Sequence, residues 1–173
     1  MVVVLMGYMG SGKSTIGKGL ATVLSYKSLD LDSYISEKEL ASIPEIFKQK
    51  GEIYFRKKET FYLNEILSSE DNIILSLGGG TPCYGKNLSV LLNNDKIKLF
   101  YLKLSIPLLT KRLFSEIEKR PVISHLKTED ELTEFIGKHL FERTQYYNEA
   151  HYTINTDHKM QQDVIEDILM CLI

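Results

Sequence analysis

The stretch Gly7-Tyr8-Met9-Gly10-Ser11-Gly12-Lys13-Ser14-Thr15 constrains this chain more than any other. The apolar run Met1-Val2-Val3-Val4-Leu5-Met6 leads into it and reads as a buried parallel strand. After it, Ile16-Gly17-Lys18-Gly19-Leu20-Ala21-Thr22-Val23-Leu24 carries apolar positions at helical spacing. Strand, glycine turn and helix therefore follow in the order that makes G-x-x-x-x-G-K-[ST] a phosphate cradle. Backbone N–H groups of Gly10, Ser11 and Gly12 would converge on a phosphate, and the helix start would add its dipole. Lys13 would reach the β- and γ-phosphates, the Ser14 hydroxyl would meet Mg²⁺, and Thr15 would close the cradle. A chance match is expected in fewer than roughly one sequence in a hundred, so the chain is expected to bind a nucleoside triphosphate.

At 173 residues the chain is expected to form one domain with a substantial core. Its net charge of -2 provides no broad field for nucleic acid or an acidic membrane, so neither is an expected partner and local cations must hold an anionic substrate. No stretch reaches membrane-spanning length, and the short N-terminal apolar run lacks the basic start of a signal peptide. Cys83 and Cys171 suggest neither a disulfide framework nor a zinc site; burial as small apolar residues and a reducing cytoplasm are expected. His125, His139, His151 and His158 lack ligand spacing and are assigned no chemistry.

Strands and helices alternate along the chain. A second strand is expected over Lys27 to Asp32, with Asp30 and Asp32 on one side of it at the ligand-facing end. The same acids equally suit a turn and helix cap, since Asp32-Ser33 precedes a helical stretch. Ser42-Ile43-Pro44-Glu45 starts a helix that ends near Gly51. Another begins at once, with Ile53, Phe55, Phe61, Leu63, Ile66 and Leu67 as its apolar face. Arg56 there could be an exposed partner of Glu59 or a functional cation. The third strand, Asn72 to Leu77, runs into Gly78-Gly79-Gly80, where the backbone is expected to approach a ligand closely. A helix near Asn87–Asn93, a strand over Ile97–Lys103 and a helix from Ile106 follow. Ser115 to His125 is polar and broken by Pro121, which fits a surface loop or a closing lid. A capped helix from Thr128, with Leu132, Phe135, Ile136, Leu140 and Phe141 facing inward, leads to a strand over Tyr152–Asn155 and a last helix from Met160. The pattern predicts an α/β fold: a five-stranded parallel sheet with helices on both faces.

Taken in order, these motifs resemble the shikimate kinases, a small branch of the P-loop kinases. They are Gly7–Thr15, Asp30-Leu31-Asp32, Phe55-Arg56 with Glu59, Gly78-Gly79-Gly80, Lys119-Arg120-Pro121, and Glu142-Arg143 with Tyr146 and Ala150. The resemblance implies ATP-dependent phosphorylation of the 3-hydroxyl of shikimate by one P-loop kinase domain over residues 1–173, with a substrate insert at about 32–61 and a lid at about 115–127. It also implies that Asp32, Arg56, Gly79 and Arg143 hold shikimate, that Ser14 ligates Mg²⁺ with Asp30 acting through water, and that Arg120 swings onto the ATP phosphates.

Residue chemistry agrees. A planar carboxylate suits the guanidinium donors Arg56 and Arg143, with Glu59 orienting Arg56. Asp32 can position the attacking hydroxyl and draw off its proton, while Lys13, Mg²⁺ and Arg120 neutralise charge at the γ-phosphate. Val122-Ile123 stands where the family usually has a Leu-Leu pair, and Asn155–Lys159 lacks the family's usual Arg and Pro, leaving Arg112 to stack on adenine. A gluconate-type sugar-acid kinase and a non-catalytic nucleotide-binding module are the alternatives, and the chain is expected to be a cytoplasmic monomer.

Overall fold

The computed structural model describes residues 1–173. Five strands, β1 (Val2–Met6), β2 (Lys27–Asp30), β3 (Ile73–Ser76), β4 (Ile97–Lys103) and β5 (Tyr152–Asn155), form one parallel sheet in the order β2-β3-β1-β4-β5. The helices are α1 (Lys13–Leu24), α2 (Leu31–Glu39), α3 (Ile43–Ser69), α4 (Asn87–Leu92), α5 (Ile106–Phe114), α6 (Glu129–Tyr147) and α7 (Gln161–Leu172). No helix is long and apolar enough to cross a membrane.

All five residues of β1 are buried, and strand alternation divides them between two cores. Val3 and Leu5 pack with Ile16 and Leu20 of α1 and Val164, Ile165 and Ile168 of α7. Val2, Val4 and Met6 face the larger core, built with α2 to α6. Helices on both faces are thus what a continuous apolar strand requires. Because β1 lies between β3 and β4, the chain leaves it at the switch point of the sheet, where such folds open a crevice at the strands' carboxyl ends. The turns after β1, β2 and β3 all emerge at that edge.

Several local expectations change. β2 stops at Asp30, which caps α2 by accepting from the backbone N–H of Ser33 at 3.2 Å. Asp32 consequently lies in the first turn of α2, and the strand alternation expected for Asp30 and Asp32 does not exist. Cap chemistry overrode a short run of alternating residues. Gly51 divides α3 as expected: at φ 83° and ψ 171° it leaves the helical region, and helix resumes directly after it.

Phe61 in α3 is exposed, as is Ile53, and Phe141 in α6 is 88 % exposed. At about 100° per residue the buried stripes run through Phe55, Glu59, Tyr62, Leu63 and Ile66, and through Leu132, Ile136, Leu140 and Tyr147. Ile53, Phe61 and Phe141 fall off them. The two cysteines are free thiols and only half-buried, contrary to the expected full burial, because Cys83 lies in a short turn after the glycines and Cys171 near the end of α7.

Candidate active site

A cleft of about 440 Å³ opens at the carboxyl edge of the sheet, lined in part by Lys13, Ser14, Asp30, Asp32, Gly79 and Arg120. One wall is the turn between β1 and α1. Gly12 caps α1 in the left-handed region, at φ 95°, with no side chain bonded to the helix start and no acid in its first turn. The first N–H groups of α1 therefore remain free for an anion. The hydroxyl of Ser11 is buried without a hydrogen-bond partner in the same turn. Such an orphan is costly unless a ligand satisfies it.

Lys13 folds back over this turn, its Nζ donating to the carbonyls of Gly7 and Tyr8 at 2.9 Å each. Burial pushes its amine down to about 8, against the pull of Asp32 and Asp30. Thr15 and Gly10 line the cleft, and Arg112 lies across the turn with Nη1 donating to the Gly10 carbonyl at 3.2 Å. Arg112 also borders a neighbouring hollow of about 240 Å³ with Thr15, Thr156 and Lys159.

Ser14 Oγ donates to Asp30 Oδ2 at 2.7 Å. No group of three or more His, Cys, Asp or Glu residues forms a complete protein cage for a metal. One hydroxyl and one carboxylate are a hard, incomplete donor set, which fits Mg²⁺ completed by phosphate and water rather than zinc or calcium.

The opposite wall is the Gly78-Gly79-Gly80 turn after β3, and its geometry gives the site its form. A Cβ on Gly78 would lie 2.9 Å from Asp32 Oδ1, one on Gly79 3.3 Å from Arg143 Nη1, and one on Gly80 2.9 Å from Arg56 Nη2. None of the three has a positive φ, so the glycines supply space rather than an unusual backbone angle. Three side chains from three helices close on one turn.

The three differ in how they are held. Arg56 Nη1 donates to Glu59 at 2.9 Å, and Glu59, only 1 % exposed, also accepts from Thr81 at 2.7 Å. The Arg56 guanidinium lies 3.7 Å from the Tyr84 ring centroid. Glu59 therefore orients Arg56, as its spacing suggested. Arg143 has no carboxylate partner among the ion pairs. One turn further along α6, Tyr147 donates to the Gly79 carbonyl at 2.5 Å. Asp32 is pushed up to about 6 by burial and by the nearby Asp30 and Glu59, despite the opposing Lys13 and Arg56. A carboxylate of that strength is ionised at neutral pH and is a competent proton acceptor.

Arg120 and Glu116 both line the cleft and are paired there, with Arg120 Nε and Nη2 donating to Glu116 Oε2 at 3.0 and 2.7 Å. The sequence assigns no role to Glu116, despite its i, i+4 spacing from Arg120, nor to Thr81, Tyr84 or Tyr147. Of the last three only Tyr147 carried a signal, four residues from Arg143 on the same helix face.

The shikimate kinase family model matches residues 9–173 of the chain. Over 167 residues, covering 96 % of each sequence, the chain is 47 % identical to a shikimate kinase of Flavobacterium johnsoniae. It is similar in structure to a crystal structure of shikimate kinase from Bacteroides thetaiotaomicron, with TM-score 0.90 and 32 % identity over 99 % of this chain and 98 % of that one. A second similar structure is shikimate kinase from Acinetobacter baumannii in complex with shikimate, with TM-score 0.85 and 34 % identity over 99 % of this chain and 92 % of the other.

Proposed function

The chain belongs to the shikimate kinase family, and from that premise we propose that Asp32, Arg56, Gly79 and Arg143 bind shikimate while the Gly7–Thr15 turn binds ATP. The enzyme transfers the γ-phosphoryl group of ATP to the 3-hydroxyl of shikimate, giving shikimate 3-phosphate and ADP, a step of aromatic amino-acid biosynthesis. The observation that carries the site assignment is the convergence of Asp32, Arg143 and Arg56 on the three glycines beside the phosphate cradle.

In this reading Arg56 and Arg143 take the shikimate carboxylate by paired N–H···O bonds, and the Gly79 backbone lies against the ring. Asp32 accepts the proton of the 3-hydroxyl as that oxygen bonds to the γ-phosphorus and the bridging oxygen leaves with ADP. Lys13 leaves the Gly7 and Tyr8 carbonyls for the phosphates and neutralises charge there. Gly10, Ser11, Gly12 and Thr15 hold the phosphates, and Arg112 borders the base. Ser14 and, through water, Asp30 would hold one Mg²⁺, which when bound screens the phosphate charge.

Residues 1–173 act as one kinase domain in this reading, with 32–61 as the substrate insert and 115–127 as a lid. Closure carries Arg120 from Glu116 to the γ-phosphate and excludes water. The enzyme acts as a monomer in this reading. An ATP-dependent reaction and two free thiols support a cytoplasmic location.

Purified protein should release ADP from Mg²⁺-ATP only when shikimate is present, with gluconate and AMP inert, in a coupled ADP assay. Equal ADP release without shikimate would overturn the assignment. Arg120→Ala should lower kcat by roughly 10²-fold, the usual cost of one preorganised transition-state donor, with the shikimate KM nearly unchanged. A change confined to shikimate affinity would contradict the lid role.

A further inference from the structure

Along one face of α6, at successive helical turns, lie His139, Arg143 and Tyr147. Tyr147 ties the far end of this row to the acceptor wall through the Gly79 carbonyl. His139 ties the near end to the donor wall: its Nδ1 is hydrogen-bonded to the Tyr8 hydroxyl at 3.0 Å. Tyr8 belongs to the phosphate turn itself and is 2 % exposed. Its carbonyl is one of the two oxygens that hold Lys13, and its ring centroid lies 5.8 Å from the Arg143 guanidinium. Phe135 packs on the other side of His139 at 4.4 Å between ring centroids, fixing the imidazole. Arg143 thus sits between two pins, one on each half of the site, and Tyr8 touches both halves.

We propose that the Tyr8–His139 hydrogen bond is a strut that sets Arg143 at the right distance from the phosphate turn, making Tyr8 and His139 positioning residues for the shikimate carboxylate. Arg143 has no carboxylate of its own to hold it, whereas Arg56 has the buried Glu59. Its position must therefore come from the helix that carries it. Burial pushes the His139 imidazole down, with the Arg143 charge acting the same way, which favours its neutral form beside the two arginines. Its contribution is geometric. Small displacements of a substrate-orienting arginine are costly, because the carboxylate must meet both guanidinium groups at once.

This inference rests on the reading of Arg143 as a shikimate ligand, so the experiment separates the two. Steady-state kinetics with shikimate and Mg²⁺-ATP are measured for Tyr8→Phe, His139→Leu, their double variant, His139→Asn and Arg143→Ala. Loss of one net hydrogen bond predicts a shikimate KM raised roughly 3- to 10-fold in Tyr8→Phe and in His139→Leu, with the ATP KM within about twofold of wild type. The double variant should be no worse than the worse single one, since both remove the same bond. His139→Asn, whose amide can occupy the Nδ1 position, should recover most of the loss. A shikimate KM within twofold of wild type in both single variants, additive losses in the double variant, or equal rises in both KM values would overturn the strut while Arg143→Ala still weakens shikimate. If Arg143→Ala leaves the shikimate KM unchanged, the binding role of Arg143 falls first and the strut with it.

Discussion

Replacing Arg143 by alanine should raise the shikimate KM by roughly 10²-fold or more, with the ATP KM changed by less than about twofold. The expectation follows from what surrounds the guanidinium. It faces Gly79 and the Tyr8 ring, and no acid neutralises it. An arginine without an acid partner beside the glycine turn can take a carboxylate by charge-assisted paired bonds, which are the strong ones. Removing it leaves the substrate carboxylate with Arg56 alone. A lysine at this position should recover only part of the loss, because a single ammonium cannot reproduce the planar fork. Parallel titrations of shikimate and ATP would check the selectivity; a matching loss of ATP affinity would show that Arg143 supports the fold rather than the acceptor.

Asp32→Asn should lower kcat by roughly 10²- to 10⁴-fold, the range for loss of a positioned general base, and should also change the shape of the pH profile. With Asp32 at about 6, the active carboxylate form grows as pH rises through that value, so kcat/KM should climb and then level. Lys13, at about 8 in the nucleotide-free enzyme, loses its charge as pH rises further, so kcat/KM for ATP should fall on the alkaline side. A bell with limbs near 6 and 8 is the expected wild-type result. In Asp32→Asn the acid limb should vanish and the alkaline limb persist. Retention of both limbs would remove Asp32 from proton transfer and leave it only the task of holding the hydroxyl.

The fold was legible where one signal ran uncontested. Six apolar residues followed by Gly7–Thr15 can hardly be anything but strand, turn and helix, and the sheet carries them in that order. The segment around Asp30 was ambiguous because two patterns overlapped. Leu29-Asp30-Leu31-Asp32 alternates like a strand, yet Asp30 with Ser33 three residues on is a helix start, and the cap prevailed. The apolar faces of α3 and α6 were read too broadly, since composition suggested Phe61 and Phe141 as core while their angular positions exclude them. Within the site, the glycines, Asp32, Arg56 and Arg143 were visible as residue types. That each glycine faces a different one of those side chains was not, because it depends on how α2, α3 and α6 approach a single turn. His139 lacks ligand spacing, and the sequence marks it only by its four-residue offset from Arg143.

The glycine turn also limits how this scaffold can change its acceptor. A methyl group at Gly78 or Gly80 would come within 2.9 Å of Asp32 or Arg56, and one at Gly79 within 3.3 Å of Arg143. Any side chain added at this sheet edge would therefore have to displace one of the pocket's own side chains. A new specificity would have to be written on the surrounding helices, where α3 and α6 each contribute one carboxylate-binding arginine in the proposed site. The β3 turn stays constant, so redesign of this kinase for another hydroxy acid should hold the three glycines and Asp32 fixed and vary positions 56 and 143 and their neighbours.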